Sequence, residues 1–182
     1  MSFLEKALKR KETITVTLRI DKEIMDKLSL DADNDSISLN SLVNHVLKRY
    51  VEWNKFEDKS SMIPNNSVVL KELFHNLDKD QVIKLAKDVA KDAVYSLILF
   101  MNGKVDFNIL VSWYKERMRH CSEISDKQID NNQYKIIFKH ELGENWSLYH
   151  KTIMESLCHE YISKPIEINI TSSTIVFNIY NI

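Results

Sequence analysis

The chain has 182 residues, 44% of them hydrophobic and 28% charged, with a formal net charge of −1; this describes a globular protein able to bury a core and excludes a uniformly basic nucleic-acid binder. Its two glycines, Gly103 and Gly143, compare with about a dozen at average usage of roughly 7%, so no dinucleotide fingerprint, phosphate loop or nucleophile elbow can be built. Its two cysteines, Cys121 and Cys158, exclude a multi-bridge secreted framework and a zinc ribbon.

No apolar run approaches the roughly 20 residues of a membrane span, and the start, MSFLEKALKRKE, lacks the apolar stretch of a signal peptide. A cytoplasmic location without membrane association is therefore expected. Near-neutrality conceals local asymmetry. Residues 1–20 carry five basic against two acidic side chains, net +3, while residues 21–35 carry two basic against six acidic, net −4.

In chain order, TITVTLRI alternates strictly over residues 13–20. Ile14, Val16, Leu18 and Ile20 share one face, and Thr13, Thr15, Thr17 and Arg19 the other, which predicts a half-buried strand. Asp21 is placed to cap a helix from Lys22, with Ile24, Met25 and Leu28 as its inner stripe. The polar stretch DADNDS, residues 31–36, is expected to break it, with Asn34 as a left-handed turn residue. Ser38 then caps a second helix whose stripe Leu39, Leu42, Val43, Val46, Leu47 and Tyr50 runs to about Trp53.

Such a strand has no partner in its own unit, so its backbone groups and apolar face call for a second copy of the chain. The pattern TVTLRIDKEIMDKL followed by SISLNSLVNHVLKRY resembles the ribbon-helix-helix (Arc/MetJ/CopG-type) family of dimeric DNA-binding regulators over roughly residues 13–53. The resemblance implies a homodimer, or a tetramer, that docks an antiparallel ribbon in the major groove of double-stranded DNA. It implies Thr15, Thr17 and Arg19 as base-contacting residues, with Arg19 offering paired donors to guanine and the threonines a hydroxyl and a methyl. It further implies phosphate contacts at the Ser38 hydroxyl and the amides of Leu39 and Asn40, where a helix start favours an anion. Lys9, Arg10 and Lys11 are placed to reach flanking phosphates. One departure stands out. The turn between the helices, often glycine-bearing in the family, here holds Asp31, Asp33 and Asp35, which would repel DNA if they faced it.

Residues 57–67, EDKSSMIPNNS, read as a linker between a domain over 1–56 and a second over 68–182. Ser67 is expected to cap a short helix through Leu77. Asp78 and Gln81 form a predicted capping box for a long helix to about Met101, ended by Asn102-Gly103. Asp106 caps a further helix, FNILVSWYKERMRH. The run SDKQIDNNQ is expected to be a loop, YKIIFKH a strand over 134–140, and Asn145 to Ile162 a helix. IEINI and TIVFNIY then form a hairpin around Thr171-Ser172-Ser173. The fold class is α+β: the N-terminal ribbon-helix-helix unit, then a mostly helical α+β domain, α-α-α-β-α-β-β, with a small antiparallel sheet.

Two other chemistries are weighed in the second domain. His120-Cys121 and Cys158-His159, with His140 and His150, supply transition-metal ligand types, but their spacing matches no compact motif, so no metal or other cofactor is expected. The strand-glycine-helix junction KHELGENWSLYH places His140, Gly143, Asn145, Trp146 and Ser147 around a helix start, a candidate pocket for a small anionic effector. Glu141, Glu144, Ser147 and His150 form no nucleophile, base and orienter set, so an enzyme is not expected. The reading is a sequence-specific transcriptional regulator, most simply a repressor. The alternative is an antitoxin-like module whose C-terminal domain binds a protein partner, or a metal or small-ligand sensor.

Overall fold

In a computed structural model, residues 12–60, 66–129 and 132–180 are described. The chain divides into two compact units between Ile63 and Pro64, and each is taken by itself.

In the first unit, residues 12–20 carry no regular secondary structure and lie exposed. The strand expected over 13–20, and with it a ribbon, is not formed among the described residues. A strand exists through its ladder bonds, and among the described residues none pairs with residues 13–20. The helix Lys22–Asn34 begins after Asp21, whose side chain makes no capping bond, contrary to expectation. It also runs through Asp31 and Asp33, which were expected to break it. Ala32, a strong helix former, is buried in that last turn, and the chain leaves through Ser36 at φ 55°, not through Asn34. Ser38 caps the helix Leu39–Arg49 by accepting from Ser41 N at 3.1 Å. This helix continues through a wider turn, Tyr50–Asn54, into Lys55–Ser60, so helix occupies the first residues of the stretch read as linker.

The second unit is α+β. The helix Ser67–His75 is capped by Asn66, not Ser67. The capping box Asp78/Gln81 starts Lys79–Val89, which passes through a wide turn, Ala90–Tyr95, into Ser96–Asn102. Gly103, at φ 72°, ends it. Asp106 caps Phe107–Met118 by accepting from Ile109 N at 2.9 Å. Four antiparallel strands follow: β1 Glu123–Gln128, β2 Gln133–Lys139, β3 Glu167–Ile170 and β4 Thr174–Tyr180, in spatial order β1-β2-β4-β3. The helix Glu144–Leu157, extended by the wide turn Cys158–Ile162, joins β2 to β3.

β1 corrects the expected loop. It has a single apolar residue, Ile124, and no alternation to detect. It exists because β2 supplies its ladder, with Ile124 opposite Phe138 and Asp126 opposite Ile136. Asp126 also accepts from Lys115 Nζ at 2.9 Å and from the Tyr134 hydroxyl. Period-2 alternation does govern the central strands: Ile136 and Phe138 of β2 and Ile175, Phe177 and Ile179 of β4 are buried. In register, Ile136 faces Phe177 and Phe138 faces Ile175, cross-strand pairs of the kind that stabilise a sheet. The core of this unit lies between that sheet face and the helices, with Leu110, Tyr114, Ile153, Met154 and Leu157 buried. No single helix among the described residues is long and apolar enough to cross a membrane; one pair, Lys79–Asn102 and Phe107–Met118, bent by 104°, qualifies by length and composition.

Candidate functional site

The first unit presents the residues that the ribbon-helix-helix resemblance singles out. Thr15, Thr17 and Arg19 are exposed. The Ser38 hydroxyl is occupied in capping Ser41 N. Leu39 and Asn40 open the helix, and the Asn40 carbonyl accepts from Asn44 Nδ2 at 2.7 Å. Lys9, Arg10 and Lys11 lie outside the described residues. Asp31 and Asp33 stand in the last turn of Lys22–Asn34, which carries no basic residue. Carboxylates there meet the negative end of the helix dipole.

The second unit brings its candidate residues together at the end of β2. Gly143, at φ 90° and ψ 171°, turns the chain from β2 into the helix Glu144–Leu157, in a region of backbone space essentially reserved for glycine. That turn sets His140 beside Ser147, with Nε2 and Oγ 2.8 Å apart. Leu142 N donates to His140 Nδ1 at 3.2 Å. An imidazole nitrogen that accepts carries no proton, so the ring is the neutral Nε2–H tautomer and donates to Ser147. This serine therefore faces a donor, whereas a nucleophile would need a base there. Asn145 Nδ2 donates to two carbonyls, Phe74 at 2.9 Å and Leu77 at 2.7 Å, tying the end of the helix Ser67–His75 to the junction. Trp146 packs into a cluster with Phe74, Val82 and Leu142. The hydrogen bonds of His140 and Asn145 are thus made within the fold.

One turn further along the helix the chemistry changes. His150 is 2% exposed, and its ring meets Trp146, Tyr149 and Tyr114 edge-on at centroid distances of 4.3, 5.0 and 5.4 Å. Neither of its ring nitrogens has a hydrogen-bond partner among the described residues, and the same holds for the Tyr114 hydroxyl and Trp146 Nε1. Burial first, then the nearby charge of Arg117 and then His140, holds the His150 pKa well below the usual imidazole value. Burial also lowers that of His140 and raises the tyrosines Tyr114 and Tyr149. This set was not assembled from the sequence. Tyr114 with Arg117, and Trp146 with Tyr149 and His150, are each at helical i, i+3 or i+4 spacing, but that spacing equally describes an ordinary core stripe.

The sulfur and imidazole groups do not gather. Cys121 and Cys158 are free thiols, and burial pushes the Cys158 thiol up to about 12, the opposite of an activated thiolate. Among the described residues no three His, Cys, Asp or Glu side chains are placed to hold a metal ion.

Compared with protein-family models and with curated proteins, the chain matches none.

Proposed function

We propose that the chain is a sequence-specific DNA-binding regulator acting as a homodimer, with residues 13–20 of two copies pairing as an antiparallel ribbon in the major groove. The supporting observation is apolar surface left uncovered in a single copy. Ile14 is 88% and Val16 63% exposed, and Leu18, Ile20, Leu30 and Val46 are exposed as well. In this unit only Ala32 and Trp53 are buried among the described residues.

A unit with so little buried apolar surface cannot offset an ordering cost of roughly 1–2 kcal/mol per residue. A second copy answers both needs, giving residues 13–20 a ladder partner and covering the alternate apolar side chains. Thr15, Thr17 and Arg19 then lie on the opposite face, where they meet base edges. The N-terminus of Leu39–Arg49 takes a phosphate.

Fluorescence anisotropy with double-stranded DNA from upstream of its own gene, across a salt series, tests this reading. Expected are specific binding weakened by salt and a loss of about 1–3 kcal/mol on Arg19→Ala. Absence of binding at low salt, or binding indifferent to Arg19→Ala, refutes it.

A further inference from the structure

In the second unit, Tyr114, Trp146 and His150 are 1%, 6% and 2% exposed, yet four of their polar atoms, Tyr114 Oη, Trp146 Nε1 and both nitrogens of His150, lack a hydrogen-bond partner among the described residues. Buried polar groups are normally satisfied, so four such atoms in one cluster demand an explanation. The cluster is continuous: the His150 ring contacts both the Tyr114 and the Trp146 rings, and Tyr114 packs on Phe138 and Phe177 of the sheet.

Arg117 follows Tyr114 by three residues on the same helix and is half-buried. Its guanidinium lies 5.5 Å from the Trp113 ring centroid. It makes no ion pair among the described residues, and its charge is felt at Tyr114, Tyr149, His150 and Cys121. Donors predominate. Trp Nε1–H and the guanidinium are donors only, neutral His150 brings one donor and one acceptor nitrogen, and the Tyr114 hydroxyl can donate or accept. A half-buried cation beside unmatched donors favours an acceptor that carries negative charge.

The geometry points to a binding site for a compact oxyanion, a carboxylate or phosphoryl group of a small molecule, held by Arg117, Tyr114 and His150 between the helices Phe107–Met118 and Glu144–Leu157. The site lies one helical turn beyond His140 and Asn145, whose bonds are already made. It is independent of DNA binding, which could fail without affecting it.

The test is titration of the full chain with inorganic phosphate and, separately, with acetate, following the imidazole resonances of His150 by NMR and the heat of binding by calorimetry. Saturable binding of either probe, with a shift at His150, is expected; the preferred probe identifies the group as phosphoryl or carboxylate. Arg117→Gln should weaken binding at least about tenfold, as expected for loss of a charge-assisted hydrogen bond. Tyr114→Phe should weaken it about fivefold or more while the protein stays folded without probe. General stabilisation by salts acts equally on wild type and variant, so equal responses of wild type and Arg117→Gln overturn the proposal. So does the absence of saturation by both probes, which leaves buried water as the partner of these atoms.

Discussion

His140 donates from Nε2 to Ser147 Oγ across 2.8 Å, joining the end of β2 to the first turns of the helix that follows. Both groups are buried. Ser147→Ala would leave a buried imidazole N–H without an acceptor, a cost of about 1–3 kcal/mol. Near-ultraviolet circular dichroism during urea unfolding should report that loss. An unchanged midpoint would show that the bond contributes nothing to stability.

The two buried imidazoles give the second unit a defined response to pH. Burial depresses the pKa of both His140 and His150 in the folded chain. Below the ordinary value of about 6.5 the unfolded chain binds protons that the folded chain refuses. The stabilisation is complete above that value and is lost as pH falls toward the folded pKa values, by up to about 1.4 kcal/mol per pH unit for each imidazole. Arg117 reinforces this, because its charge opposes a proton on His150. Melting temperatures between pH 7.5 and 5.5 should fall, and His150→Leu should flatten the slope. An identical slope in that variant would assign the effect elsewhere.

The two glycines should differ in what replaces them. Gly103 sits at φ 72° and ψ −9°, the left-handed region, and Gly143 at φ 90° and ψ 171°. Asparagine tolerates the first conformation but not the second. Gly103→Asn should therefore cost a few tenths of a kcal/mol and Gly143→Asn about 1–3 kcal/mol. Neither position is sterically crowded, so thermal melts of the pair isolate backbone strain. Equal losses would contradict it.

Assembly of the first unit can be tested without DNA. Val16→Asp replaces an exposed apolar side chain on the face assigned to the partner copy. Analytical ultracentrifugation should show the wild type as a dimer and the variant shifted to monomer by at least about tenfold in dissociation constant. A monomeric wild type at tens of micromolar would remove the basis of the ribbon.

Charge reversal at the acidic turn carries a prediction of the opposite sign. Asp33 lies in the last turn of Lys22–Asn34, where a cation is favoured by about 0.3–1 kcal/mol. Asp33→Lys should raise the melting temperature of the first unit and tighten DNA binding. An unchanged affinity would place this turn away from the duplex.

What was legible in the sequence follows from how locally each signal is made. Ser38, Asp78 with Gln81, and Asp106 announce helix starts, because a cap and its amide lie within three residues. The strands β2 and β4 show in the alternation of YKIIFK and TIVFNIY. β1 does not, since its ladder comes from β2 and EISDKQ buries almost nothing. The wide turns Ala90–Tyr95 and Cys158–Ile162 are equally silent, as their side chains keep a helical pattern while the hydrogen bonding changes. The junction residues His140, Asn145, Trp146 and Ser147 were legible as a group around Gly143, but their bonding was not: Asn145 reaches back to Phe74 and Leu77. The unmatched donors of Tyr114 and His150 come together only when two helices meet the sheet.

The polar makeup of β1 and the shortness of β3 have a consequence for how copies can meet. These two strands are the margins of the sheet, where unpaired backbone groups would otherwise recruit a foreign strand. Glu123, Asp126 and Lys127 stud the first margin, and the second is only four residues long, with Glu167 at its start. The sheet is thereby guarded against growing sideways into a fibre.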